Sequence, residues 1–163
     1  MPRWSSTLLL ALLGLLAAGL LFGQLRWIPA LADTELRENP SAGPAVALVS
    51  IAGIALGVCG ELALLAIARL VLMVRRGRIF DARAFRWVNV IIGAAAAASA
   101  IVLAVLVVAE ATDGDGPGEL PPGIGALMVG VVLALAALAL LMVVMKALLR
   151  QAVALDAELR EVV

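Results

Sequence analysis

The side chain best placed to do chemistry in this sequence is Glu61. It is the sole acid in an apolar run from Ala45 to Val74. An acid at membrane depth is costly, and such residues commonly serve as proton relays or cation sites. Roughly 20 Å of helix rise separates Glu61 from Arg75. Arg69 lies eight positions along the same helix and is expected to snorkel to the inner surface. Lys146 is about one turn from the inner end of its own apolar run. Neither matches Glu61 in depth, whereas Ser99 does. The expectation is therefore that Glu61 keeps its proton or bonds to Ser99, rather than forming a tight ion pair. Glu61 and Ser99 together form the candidate intramembrane proton or cation site. The competing role for Glu61 is neutral packing.

Other chemistry is scarce. The chain has no His, no Tyr and a single Cys, Cys59. A Ser-His-Asp or Cys-His set cannot be assembled, and imidazole metal sites are excluded. One Cys cannot form an intrachain disulfide or a redox pair, and Cys59 reads as a small apolar packing residue. Asp113-Gly-Asp115-Gly opens like a calcium loop but lacks the later ligands and the bidentate Glu. It reads as an outer turn. No polar constellation converges at either face, so the expectation is a non-enzyme with no catalytic residue, metal or cofactor. Acidic and basic residues balance at 12 each. A nucleic-acid binder normally carries a basic surplus, so direct nucleic-acid binding is not expected.

These residues sit in a chain that is 64% hydrophobic and 15% charged. An ordinary soluble fold of 163 residues has too little core to hide that apolar surface. Four runs exceed the roughly 18 residues needed to span hydrocarbon: about 4–25, 45–74, 87–109 and 122–149. Each must be helical, because lipid offers the backbone no partner. The predicted fold is all-α: a polytopic integral membrane protein whose four helices form an antiparallel bundle. Residues 1–163 make a single membrane domain, with a cytoplasmic helical tail over 150–163. A signal-peptide alternative rests on Ala30-Leu31-Ala32, but the first apolar run is far longer than the usual h-region.

The connections set the orientation. Residues 75–86 hold Arg75, Arg76, Arg78, Arg83 and Arg86, whereas 110–121 hold four acids and no base. Placing the arginine loop inside puts ten of the twelve bases on that side and leaves Arg26 and Arg37 outside. The positive-inside rule then makes both termini cytoplasmic. Trp4, Trp27 and Trp87 fall at span ends, where an amphipathic ring prefers the headgroup layer. The five loop arginines are the expected contacts to anionic inner-leaflet lipid or to a partner. Asp81 is placed to cap the third span, with Phe80 and Phe85 spaced as a hydrophobic staple.

Small residues suggest how the spans meet. Gly53 and Gly57 form a GxxxG in the second span, suited to packing within the chain or to a homodimer. In the tail, Leu148, Ala152, Leu155, Leu159 and Val162 recur at intervals of 4, 3, 4 and 3, giving one apolar seam. That seam fits a helix on the base of the bundle or on the membrane, or one that docks a cytoplasmic partner.

Two stretches carry a family resemblance. One is Gly77-Arg78-Ile79-Phe80-Asp81 with Arg83, Phe85 and Arg86. The other is Leu148-Leu149-Arg150 with Leu155, Glu158, Leu159, Glu161, Val162 and Val163. With four spans in this length, the chain resembles the bacterial membrane-protein family called domain of unknown function 2975, in an actinobacterial-type composition. The resemblance implies a multi-pass bacterial plasma-membrane protein with no established activity, whose relatives are often encoded beside a small helix-turn-helix regulator. It supplies no catalytic residue. The leading expectation is a protein acting through contacts of its basic inner loop and C-terminal helix, tethering or sensing such a regulator. The alternative is a small oligomeric transporter or channel using Glu61.

Overall fold

The computed structural model describes residues 3–75, 82–112 and 122–161. These residues form helices and, among them, no strand. Helix α1 (Arg3–Phe22) runs into a π-helical turn (Gly23–Trp27) and then into α2 (Ile28–Glu38). A 3-10 turn (Pro40–Ala42) leads to α3 (Gly43–Arg75), followed by α4 (Ala82–Thr112) and α5 (Pro122–Glu161). Four helical stretches are long and apolar enough to cross a membrane: Thr7–Glu38, Pro40–Val74, Phe85–Ala109 and Gly125–Gln151. The four spans expected from the sequence are all present, and α5 continues through most of the expected tail.

Residues 26–44, the charged stretch between the first two apolar runs, are mostly helical. The reason is amphipathic spacing: Ile28 and Leu36, two turns apart, lie against Gly53 and Gly43 of α3. The helix ends at Asn39, whose extended backbone (φ −138°, ψ 86°) is what a residue before proline prefers. The turn is closed by Asn39 N–H to Glu35 O at 2.8 Å and Ala42 N–H to Asn39 O at 3.1 Å. Ser41 Oγ adds a bond to Asn39 Oδ1 at 2.6 Å. The α2–α3 hairpin thus carries ordered structure past the first span. With 33 residues, α3 is about 50 Å long, well beyond the roughly 30 Å of hydrocarbon.

The spanning helices stand in a row. Among the described residues α1 touches α3, α3 touches α4, and α4 touches α5, while α1 meets neither α4 nor α5 and α3 does not meet α5. The antiparallel bundle expected from the sequence takes the form of an open row among the described residues. The physical reason is the solvent. Lipid tails are as apolar as leucine, so nothing drives the exposed faces of α1 and α5 together. What holds neighbours is close packing of small residues. Ala66 of α3 is fully buried, and α4 buries Ile91, Ala94, Ala95, Ala98 and Val102. Those α4 positions recur every three or four residues and so form one stripe of the helix, and α4 packs against both α3 and α5.

Overpacking should be felt only at the buried contacts. Ala66→Leu is expected to destabilise the chain by about 1–3 kcal/mol. Gly93→Ala, where a β-carbon meets nothing within 4 Å, should cost far less. Unfolding in mixed micelles, followed by loss of helical circular dichroism, checks both.

Candidate functional site

The π-helical turn is followed by a proline, Pro29, in the first turn of α2. In a regular α-helix Pro29 would lack the N–H that bonds Leu25 O, and its ring would press on that carbonyl. The chain avoids the conflict by widening the preceding turn, so that Ile28 N–H bonds Gly23 O, five residues back. Widening adds a residue to the turn and re-aims the side chains around it by about 100°. Gln24 lies inside that turn and points at α3.

There its amide Nε2 donates to Glu61 Oε1 at 2.7 Å, and both side chains are half-buried. The approach is possible because residue 57 is glycine. A β-carbon on Gly57 would come within 2.3 Å of Gln24 Nε2 and 2.5 Å of its Cδ. One turn to either side, Ile28 lies on Gly53 and Leu20 on Gly60. The GxxxG stripe thus seats α1 and α2 of the same chain.

Ser99 is not the partner of Glu61, as depth alone had suggested. Its Oγ donates to Val132 O of α5 at 3.4 Å, a long and weak bond. Glu61 faces α1, while Ser99 faces the other end of the row. The correction is therefore one of direction around the helix, not of depth.

Toward the N-terminal end of α1 the glycine-mediated contact is not continued. A β-carbon on Gly14 would meet nothing within 4 Å. An open groove of about 300 Å³ lies between α1 and α3, walled by Leu10, Leu13, Ala17, Leu64 and Leu65, with Glu61 its single ionisable group. No ion pair to Glu61 is formed among the described residues. Glu61 stands about 12 Å of helix rise from Arg69.

The bases at that level are engaged with α4. The Arg69 guanidinium lies over the Trp87 ring at 5.7 Å, and that of Arg150 over Phe85 at 5.5 Å. Lys146 Nζ donates to Asn89 Oδ1. Exposed cation–π pairs contribute about 0.5–1 kcal/mol each. Here they also fix the register of α4 against both neighbours. Of the five loop arginines, Arg86 is exposed on α4, and Arg75 and Arg83 lie in helices. Arg76, Arg78 and the expected cap Asp81 fall outside the described residues. In the tail seam Leu148 is exposed, Ala152, Leu155 and Leu159 lie in α5, and Val162 falls outside the described residues. So do Asp113 and Asp115.

Sequence reasoning missed Gln24 and Asn89. Gln24 lies inside the first apolar run, 4–25, and was not singled out. The available signal was a polar amide within an otherwise apolar span. Asn89 was legible only as a polar residue beside Trp87.

Fold and site together define a polytopic all-α membrane protein with one polar pair inside its first helix contact. The chain belongs to the family described as "Protein of unknown function (DUF2975)", whose model matches residues 30–163. The match begins within α2, so Glu61 lies inside it and Gln24 before it. No curated protein and no solved structure matches the chain.

A double-mutant cycle tests the pair. Gln24→Leu and Glu61→Leu should show a coupling of about 0.6 kcal/mol, and at most about 1.7 kcal/mol, in micellar unfolding. Gly57→Ala, by displacing Gln24, should remove most of that coupling. Additive single variants would mean that the bond contributes nothing to α1–α3 association.

Proposed function

We propose that this protein is a plasma-membrane interaction module of bacterial type, with the arginine-rich loop and α5 extension in the cytoplasm. One observation carries the reading. Helix α5 runs unbroken from Pro122 to Glu161, so about 16 Å of helix extends beyond Arg150, the residue that meets Phe85 near the start of α4. As the continuation of a long helix, this segment needs no separate nucleation and is presented preformed. Its sequence places Leu148, Ala152, Leu155 and Leu159 on one side, the pattern by which an amphipathic helix lies in an apolar groove. The chemistry suits a cytoplasmic protein with such a groove. The family's implied gene neighbourhood favours a small helix-turn-helix regulator.

A second reading is favoured by Glu61. A lone carboxyl in an apolar groove, held by an amide and by no base, suits recognition of a cation within the membrane. In this reading the protein takes part in movement or sensing of a cationic solute.

Two experiments check the first reading. Full-length protein is expected to retain the regulator encoded beside it, when both are expressed together and solubilised gently. The chain truncated after Leu149 should reach the membrane and lose it, as should Leu155→Glu with Leu159→Glu. Retention unchanged by truncation overturns the docking role. Orientation is checked in a Cys59→Ala background, in which Ser41→Cys should react with an impermeant maleimide from outside intact cells. A cysteine placed after Val163 should react only after lysis.

A further inference from the structure

We propose that the groove between α1 and α3 binds a primary amphiphilic amine, its ammonium at Glu61 and its alkyl chain along the groove toward Leu10. This rests on the Glu61 reading and is independent of docking by α5.

The shape comes from the distribution of small residues. At Gly53, Gly57 and Gly60 the glycine surface is filled by Ile28, Gln24 and Leu20, so the two helices are closed there. At Gly14 an added β-carbon would meet nothing within 4 Å, although the adjacent Leu13 is buried, so the space opens on the Gly14 side of α1. The space left is about 300 Å³, at the lower end of the range for small-molecule sites. Its walls are leucine and alanine, and Glu61 stands at its closed end. This is an apolar slot that ends in one carboxyl.

The chemistry of the complement follows from what the protein does not supply. Gln24 donates a neutral amide hydrogen to Oε1, which orients the carboxyl and adds no positive charge. The bases on neighbouring helices are committed elsewhere: Arg69 to Trp87, Arg150 to Phe85 and Lys146 to Asn89. Arg26, two residues from Gln24, is exposed and makes no ion pair with Glu61 among the described residues. Among the described residues no base pairs with Glu61, so a ligand is the proposed source of its positive partner. A bare metal cation is poorly served, since hard cations gather about six or more oxygen ligands and the slot offers one carboxylate. An acyl chain alone satisfies the walls and leaves the carboxyl without a complement. A primary ammonium has three donors on a compact head and needs only a charged acceptor to make a strong hydrogen bond. Its alkyl chain matches the walls.

The test uses the full chain in phosphatidylcholine nanodiscs, with decylamine and decanol as probes of equal chain length, each measured against empty nanodiscs. Wild-type protein is expected to retain decylamine at least tenfold more tightly than decanol. Glu61→Gln should bring decylamine to the level of decanol and leave decanol unchanged. Gly14→Leu, which adds a side chain into open space and leaves Glu61 in place, should lower retention of both. Decyltrimethylammonium, with no N–H to donate, should bind more weakly than decylamine. Equal retention of decylamine by wild type and Glu61→Gln overturns the proposal, as does wild-type retention of the amine no greater than of the alcohol. Monodisperse elution and unchanged helical circular dichroism establish that each variant is folded. Truncation after Leu149 should leave amine retention intact, which separates this outcome from that of the docking reading.

Discussion

Inside hydrocarbon a polar side chain has no water to fall back on, so its partner must come from the protein. That constraint sets how the helices of this chain stand against one another. Gln24 and Glu61 fix α1 against α3. Arg69 on Trp87 fixes α3 against α4. Ser99 on Val132, Lys146 on Asn89 and Arg150 on Phe85 fix α4 against α5. Each bond is weak by itself, of the order of 1 kcal/mol or less. Their effect is on register, because leucine and alanine faces alone would allow neighbouring helices to slide.

The same solvent explains why the array stays open. A water-soluble four-helix protein must close, since each helix has an apolar stripe to hide. Here the apolar faces of α1 and α5 are already in a good solvent. Contacts form where backbones can approach, at the alanines of α4 and at the α3 glycines. Where small residues on one helix have no side chain seated on them, as at Gly14, a gap remains. The groove at Glu61 is thus a by-product of packing that is tight at one end of α1 and loose at the other.

How much of this was legible in the sequence depends on which force decides each feature. The spans were legible because a single requirement, enough apolar residues to cross hydrocarbon, governs them, and α3, α4 and α5 contain the expected stretches. Glu61 was legible because one acid among aliphatic residues stands out in any register. Its partner was not. Pairing it with Ser99 used depth, which sequence supplies, but not the direction around each helix, which packing supplies. Gln24 sits one turn after Leu20, which lies on Gly60, so it shares the face toward α3, but that this face meets Glu61 is decided by packing. The α2 helix was hidden for a related reason. Its charged residues mark a connection, and only the spacing of Ile28 and Leu36 shows that the connection is folded onto α3.

The row also determines how the two candidate surfaces relate. The groove lies between the first two members, α1 and α3, and the C-terminal extension belongs to the last, α5. Among the described residues no contact joins α1 to α5 or α3 to α5, so any influence of one on the other must pass through α4. Helix α4 packs on both neighbours, with its buried small residues on one stripe and cation–π pairs at its base. Coupling requires an element with two arrangements that both sites bias. A ligand that seats itself between α1 and α3 gains its binding energy from Glu61 and the groove walls, without repacking α4. On the proposed readings, a ligand in the groove meets no residue of α4 or α5, so removing one proposed surface is expected to leave the other in place.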